Sequence, residues 1–431
     1  MSDISILQPC QISQLANGLR VVTYEMPWVE SVAVGIWVGS GSRHEPKEFS
    51  GISHFLEHML FKGTRSRTSQ RILQEIEGIG GDINACTYQE RTAYYATAPA
   101  CYLKQITDVL VDLYQNSVLA KEDVDLERSV IAEEIQMYYD DPAEHISDLL
   151  NTVFWKKHSL ARPITGTLDS IKTIHSKELK KYLKHHYLPD NTCISAAGCL
   201  AHEEFLRFVE KKFTASASQI STWVDPESTA SIRHRARVVL EERDIQQTQL
   251  QLAFPCPSIT HSDRSAMNIL NVLLAGNSSS RLFQELREKR GYCYSVSSHP
   301  NYLSDTGQLS LSLALDSAKI YPSLRLINRE VKRFRDRPVS KNELRRAVCY
   351  LTGSRLMAME RTVFQNSRIG HAVLSFGKVP DPQETVECYE KLTPQDIQSV
   401  SRRYLDLKKS SLATIGKSLN ESVLREALEK E

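Results

Sequence analysis

Apolar and polar positions alternate in short runs early in the chain and recur at helical spacing further on. Residues 18–25 follow an Asn-Gly turn and read as a strand, and residues 31–38 as a second. Between Gly51 and Phe61 the apolar positions are dense and neither Pro nor Gly follows Gly51, so a helix is expected. Residues 68–77 read as another helix, stopped by Gly78, Gly80 and Gly81. Two strands, 82–88 and 92–98, are split by Gln89-Glu90-Arg91. Long amphipathic helices are expected over 102–116 and 121–139, the second closed by Asp140-Asp141-Pro142. More helix, a strand at 192–198 and a helix at 202–213 complete this half. Strands first and helices after them point to an α+β layer, not a doubly wound sheet.

Residues 214–231 are small, polar and aperiodic. They suggest a linker at 219–231 between an N-terminal domain, 1–218, and a C-terminal domain, 232–431. Beyond it the order restarts. Strands are expected at 235–242 and 247–254, helices from Ser262 and from Ser279, strands at 293–299 and 307–315, then long helices. The restart is an internal repeat. Ser69-Gln70-Arg71-Ile72-Leu73-Gln74-Glu75-Ile76 matches Ser279-Ser280-Arg281-Leu282-Phe283-Gln284-Glu285-Leu286. The same offset puts Gly81 on Gly291 and Asn84 on Tyr294. A slightly larger one puts Lys121-Glu122-Asp123-Val124 on Lys341-Asn342-Glu343-Leu344. The halves read as two copies of one fold.

At 431 residues the chain is too long for one core. A net charge of +1 gives no reason to expect nucleic acid or an anionic membrane as partner. No apolar run approaches transmembrane length, and the first residues lack a signal or transit pattern, so a cytoplasmic protein is the expectation. The nine cysteines are odd in number, scattered and without a Cys-x-x-Cys pair. Several, such as Cys193, Cys199 and Cys349, sit in apolar patterns and read as reduced core residues, neither disulfides nor ligands.

The chemistry concentrates in the helix after Gly51, which reads His54-x-x-Glu57-His58. Residues four apart share a helical face, so both imidazoles can point at one metal ion with a carboxylate beside them. An isolated histidine pair is more often structural; the inserted Glu57 and a second feature downstream favour zinc. That feature is the helix over 121–139. Glu127 and Glu134 are seven apart and lie within roughly 20° of each other around its axis, on the stripe of Val124, Ile131, Ile135 and Tyr138. Glu133 lies roughly 100° away, towards solvent. Glutamates on a buried stripe need a partner. They are either salt-bridged to Arg or Lys, or Glu134 is the third zinc ligand and Glu127 orients His58 or the base. In the second copy His54 and His58 fall on Arg264 and Asn268, and Glu127 and Glu134 on Ala347 and Ser354, so one metal site per chain is expected.

His-x-x-Glu-His followed by a helix with Glu-Arg-x-Val-Ile-x-x-Glu resembles the insulinase/pitrilysin, or inverzincin, metallopeptidases. Within them the chain is similar to the bacterial processing-peptidase branch, itself similar to the β subunit of mitochondrial processing peptidase. Gly80-Gly81-Asp82-Ile83-Asn84-Ala85-x-Thr87, residues 158–166, residues 187–191, residues 279–283 and residues 286–294 carry the likeness over nearly the whole chain. The resemblance implies two homologous α/β roll domains forming a clamshell, and zinc-dependent cleavage of short or unfolded peptides. It implies a water activated by zinc on His54, His58 and Glu134, with Glu57 as general base. It makes Asn84 and Ala85 part of an edge strand that pairs with substrate. It assigns Arg287 and Tyr294 to the substrate carbonyl, with Arg290 and Tyr292 as neighbouring alternatives. With metal motif and Arg/Tyr pair on one chain, a homodimer is favoured over a heterodimer. The rival reading is a catalytically idle processing-peptidase-like partner or scaffold subunit.

Overall fold

Val21, Val22, Val32, Val34, Ile36 and Val38 are β-branched and wholly or almost wholly buried, the signature of strands covered on both faces. In the computed structural model, which describes residues 10–214, 228–417 and 420–429, they belong to a six-stranded sheet. Its strands are β1 (Gln11–Gln14), β2 (Arg20–Glu25), β3 (Ser31–Val38), β4 (Asp82–Thr87), β5 (Thr92–Pro99) and β6 (Thr192–Gly198), in the order β1-β2-β6-β3-β5-β4. Only β2 and β6 run parallel; the other neighbours are antiparallel. β4 lies at the edge and pairs with β5 in the register Ala85↔Tyr94 and Thr87↔Thr92. The helices around this part of the chain are α1 (Ile52–Leu60), α2 (Ser69–Glu77), α3 (Leu103–Asn116), α4 (Lys121–Asp140) and α5 (Pro142–Phe154).

The second sheet holds β7 (Arg237–Glu242), β8 (Thr248–Pro255), β9 (Cys293–Tyr302), β10 (Gly307–Leu315) and β11 (Ser411–Gly416), ordered β7-β11-β8-β10-β9. Strand for strand this is β2-β6-β3-β5-β4 again, including the single parallel pair, β7 with β11. The repeat seen in the sequence is therefore a repeat of topology. β1 and β11 are absent from the sequence-based expectation, being four and six residues long, and the helix expected from Ser279 is a π-helix over Phe283–Glu288.

The chain forms two compact units, and they depart from a contiguous division at 218 and 232. The first gathers described residues of Met1–Gln136, Arg162–Glu227 and Leu356–Asp381; the second, those of Met137–Ala161, Ser228–Arg355 and Pro382–Glu431. The difference is a reciprocal exchange. α5 buries Ile146, Leu150 and Phe154 in a cluster with Ala253, Ala413 and Ile415 of the second sheet. The helix Thr362–Phe376 buries Ile369 and Val373 against Val22, Tyr24, Trp37, Cys193 and Ala197 of the first. The offset that puts Lys121 on Lys341 also puts Pro142 on Thr362, so each copy lends the same helix to the other's sheet. An apolar helix face fits either sheet, which is why the periodicity alone does not reveal the exchange. Residues 219–227 of the expected linker lie outside the described residues, and Thr229–Ser231 forms a short 3-10 turn.

All nine cysteines are free. Cys193 is buried as expected, but Cys199 and Cys349 are exposed, one just past the end of β6 and the other on the outer face of the helix Lys341–Met359. Among the described residues no helix is long and apolar enough to cross a membrane.

Candidate metal centre

α1 is buried on almost every side. Ile52, Phe55, Leu56, Met59 and Leu60 are fully enclosed, and the polar residues of interest occupy the remaining arc. Its entry is set by Gly51, whose φ of +93° falls in the left-handed region and whose added Cβ would stand 2.6 Å from the Thr165 carbonyl oxygen. The first-turn amides are met by a side chain from upstream. Glu45 accepts from the Gly51 amide at 2.7 Å and from the Ser53 amide at 2.9 Å. Burial pushes the Glu45 carboxyl up to about 7, against the lowering effect of those amides, the Ser53 hydroxyl and the nearby Arg162 charge.

His54 and His58 lie side by side on α1, ring centroids 4.6 Å apart. Glu134 reaches them from α4: its Oε2 is 3.6 Å from His54 Nε2 and 3.4 Å from His58 Nε2. These three are the group of His, Cys, Asp and Glu side chains that can share a metal ion among the described residues. Their separations fit one. Tetrahedral ligands at zinc distances stand about 3.3 Å apart, whereas gaps of this length are too long for good hydrogen bonds. His54 is buried, and among the described residues its Nδ1 meets no hydrogen-bond partner. Glu133 is exposed, one residue from Glu134, as the helical-face reading expects.

Glu127 is almost completely buried. Its Oε1 is 2.8 Å from His58 Nδ1, and its other oxygen pairs with Lys62. With the hydrogen on Nδ1, Nε2 keeps its lone pair turned towards Glu134. Burial acts to lower the basicity of His58, but the Glu127 hydrogen bond and the Glu134 and Glu127 charges outweigh it, so its pKa is raised. Burial likewise acts against ionised Glu127, yet its bonds to His58 and Lys62 hold its pKa below the usual range. The same field that favours a proton on His58 favours any cation there.

Glu57, half-buried beside this group, accepts a hydrogen bond from the Thr87 hydroxyl at 2.5 Å. Thr87 ends β4, the strand that also carries Asn84 and Ala85. Asn84 is exposed, and its side-chain oxygen accepts from the Ala85 amide at 2.8 Å. Within its sheet β4 pairs with β5 alone, so among the described residues no further strand lies on its outer edge. Three contacts here were not placed by the sequence reading: Glu45 on the first turn of α1, Lys62 on Glu127, where only a salt bridge to some Arg or Lys was held open, and Thr87 on Glu57. Only the conspicuous acid before Gly51 and the Thr at an alternate position after Ala85 hinted at two of them.

Arg287 and Tyr294 belong to the second unit. The Arg287 guanidinium lies 4.9 Å from the centre of the Phe283 ring and 5.6 Å from that of Tyr294, which is 72% exposed. Their neighbours are committed elsewhere. Arg290 bonds the Glu285 carboxylate at 2.7 Å, and Tyr292 packs against the core of its own unit. Arg287 and Tyr294 are exposed and adjacent, and Arg290 is exposed as well.

Residues 20–168 match the family model described as insulinase (peptidase family M16), and residues 173–350 the model described as the peptidase M16 inactive domain. An uncharacterized zinc protease of Streptomyces coelicolor is 34% identical, over 93% of this chain and 88% of its own length. The uncharacterized zinc protease YmxG of Bacillus subtilis is 32% identical, over 94% and 97%. Among solved structures, a protease from Helicobacter pylori superposes with a TM-score of 0.90 at 20% identity, covering 95% of this chain and 100% of that one. A peptidase M16 inactive domain from Pseudomonas fluorescens gives 0.86 at 18%, covering 96% and 99%.

Proposed function

The chain belongs to the insulinase (M16) family of peptidases, and from that premise we propose that it is a zinc-dependent endopeptidase acting on short or unfolded peptides, with one zinc per chain. The observation that carries this reading is the convergence of His54, His58 and Glu134, with Glu57 alongside and Glu127 behind His58. When bound, zinc supplies Lewis acidity, which polarises a scissile carbonyl and lowers the pKa of an attacking water. The rest falls to the protein. Glu57 takes the proton of the attacking water and returns it to the leaving amine. Glu127 fixes the tautomer and tilt of His58, and Lys62 balances its charge. The outer edge of β4, at Asn84 and Ala85, accepts a peptide main chain as an added strand, which positions substrate without demanding a sequence. Arg287 and Tyr294 bind the substrate carbonyl and the charge that develops on it; their exposure and mutual contact support that role.

Metal set, base and Arg/Tyr pair all lie on one chain, which supports a self-sufficient enzyme, acting as a homodimer, over one that needs a different partner subunit. An idle scaffold is less well supported, because the donor set is complete. The test is a peptide library incubated with the protein, with and without chelator, and read by mass spectrometry, beside Glu57→Gln. We expect cleavage that chelation removes and zinc restores, and a Glu57→Gln protein that keeps its zinc and cleaves nothing. Cleavage by Glu57→Gln at the parental rate would overturn the base assignment.

A further inference from the structure

The contact between Thr87 and Glu57 ties the side chain of the base to β4, the strand against which α1 packs. Glu57 rides on α1. Thr87 sits on a hairpin with its own bracing: it pairs with Thr92, whose hydroxyl donates to the Ser40 carbonyl at 2.9 Å. The tip closes through the Tyr88 amide on the Arg91 carbonyl at 2.8 Å. The Ser42 amide then bonds the Tyr88 carbonyl, and Arg43, itself buried, pairs with Glu90 at 2.6 Å. Even Gly41 is required, since a Cβ there would stand 2.0 Å from the Tyr88 carbonyl oxygen. The backbone that carries the Thr87 hydroxyl is therefore braced by contacts that do not involve Glu57.

We propose that Thr87 is a positioning residue for the general base, an inference that rests on the assignment of Glu57 made above. A hydroxyl has one proton to give, and it goes to Oε2 of Glu57. That bond holds the carboxylate in one rotamer and leaves Oε1 as the oxygen that receives the proton of the attacking water. Because Thr87 closes the strand proposed to pair with substrate, the same bond sets the base at a fixed distance along the peptide main chain. A base held to within a few tenths of an ångström gains its rate from orientation, and that gain appears in turnover rather than in affinity.

The experiment uses the full-length, zinc-loaded protein and a fluorogenic peptide selected from the library. Thr87→Val keeps the shape and β-branching but removes the donor. Thr87→Ser keeps the donor. We expect Thr87→Val to lower kcat by about 10- to 100-fold with KM changed less than about twofold, and Thr87→Ser to return kcat to within about threefold of the parent. Zinc content and the unfolding midpoint should match the parent in both. A second arm compares Glu57→Asp with Glu57→Asp/Thr87→Val. The shortened carboxylate no longer reaches the hydroxyl, so the added valine should change little. Parental kcat in Thr87→Val, with Glu57→Gln inactive, overturns the positioning role and leaves the base assignment standing. Activity in Glu57→Gln overturns the base itself. A Thr87→Val protein that loses zinc or stability, and that Thr87→Ser fails to rescue, shows Thr87 to be structural and also overturns the proposal.

Discussion

Glu133 and Glu134 are adjacent in the chain and point to different surroundings. One faces solvent; the other sits within 3.6 Å of both imidazoles. Glu134→Gln should therefore lose most bound zinc, while Glu133→Gln keeps its metal and activity; metal analysis after dialysis reads both. Glu127→Gln leaves Lys62 without its charged partner and His58 without a carboxylate behind it. We expect zinc affinity to fall by about 10- to 100-fold, measured by competition with a chromophoric chelator, with the fold intact. A third residue sets an acid limit. His186 is buried and hydrogen-bonded through Nδ1 to Ser40 at 3.0 Å. Burial first, then the charges of His44 and His185, push its pKa down to about 4. Its pKa is depressed on folding, so below its ordinary value of 6.5 the unfolded chain binds the extra proton. Stability should fall as pH drops from 6.5 towards 4 and level off below, by about 3 kcal/mol at most for this group. His186→Gln should flatten that limb in urea titrations run across the window, measured against the parent because His234 titrates in the same range. At this scale the convergence of His54, His58 and Glu134 was legible, because helical spacing puts the histidines on one face of α1 and parts Glu134 from Glu133. Thr87 and Lys62 were not. Their contacts depend on how β4 is registered and where α1 ends, which no periodicity encodes.

Among the elements, α1 shows how much of a site's precision lies outside the site. Glu45 meets the buried amides of Gly51 and Ser53 at its start, and its entry needs a backbone conformation that Gly51 adopts without strain. Glu45→Ala should reduce stability by about 1–2 kcal/mol, the usual range for a lost helix cap, and loosen zinc retention, because the ligands ride on the turn that loses its anchor. Equilibrium denaturation with parallel metal analysis tests this; unchanged zinc affinity in a destabilised protein would show that the cap supports the fold without setting the ligands. Most strands and helices were legible to within a few residues, since each has a clear period and a turn residue at its end. β3 and β10 appear over the spans their patterns predict. β11 did not announce itself: six residues among long helices carry too little alternation. The repeat accounts for it once the sheets are seen, because a second sheet built like the first needs a counterpart of β6, a step the sequence reading did not take.

For the whole molecule, the repeat was readable and the partition was not. Two offsets in the sequence reveal two copies, but the choice of which sheet each amphipathic helix covers is made only in three dimensions. The helix Thr362–Phe376 fits the first sheet because Gly370 has no side chain: a Cβ there would stand 2.2 Å from Trp37 Nε1, and that nitrogen donates to Ser195 at 2.6 Å. Neither sequence half therefore contains a complete unit. Residues 1–218 alone leave Val22, Tyr24, Trp37, Cys193 and Ala197 without the helix that covers them, and residues 232–431 alone lack α5 over Ala253, Ala413 and Ile415. Uncovered apolar sheet faces of this kind drive aggregation. Each half expressed alone should be insoluble, or bind a hydrophobic dye and lack fixed near-ultraviolet signals. Co-expression should recover a stable, zinc-binding complex, since each half carries the helix the other needs. Gly370→Leu in the intact chain tests the same packing. Overpacking costs about 1–3 kcal/mol in typical cores, and here the leucine must displace a hydrogen-bonded indole, so a loss at the upper end is expected. A soluble 1–218 fragment with the near-ultraviolet spectrum of a packed core would show that the first sheet does not depend on the exchanged helix.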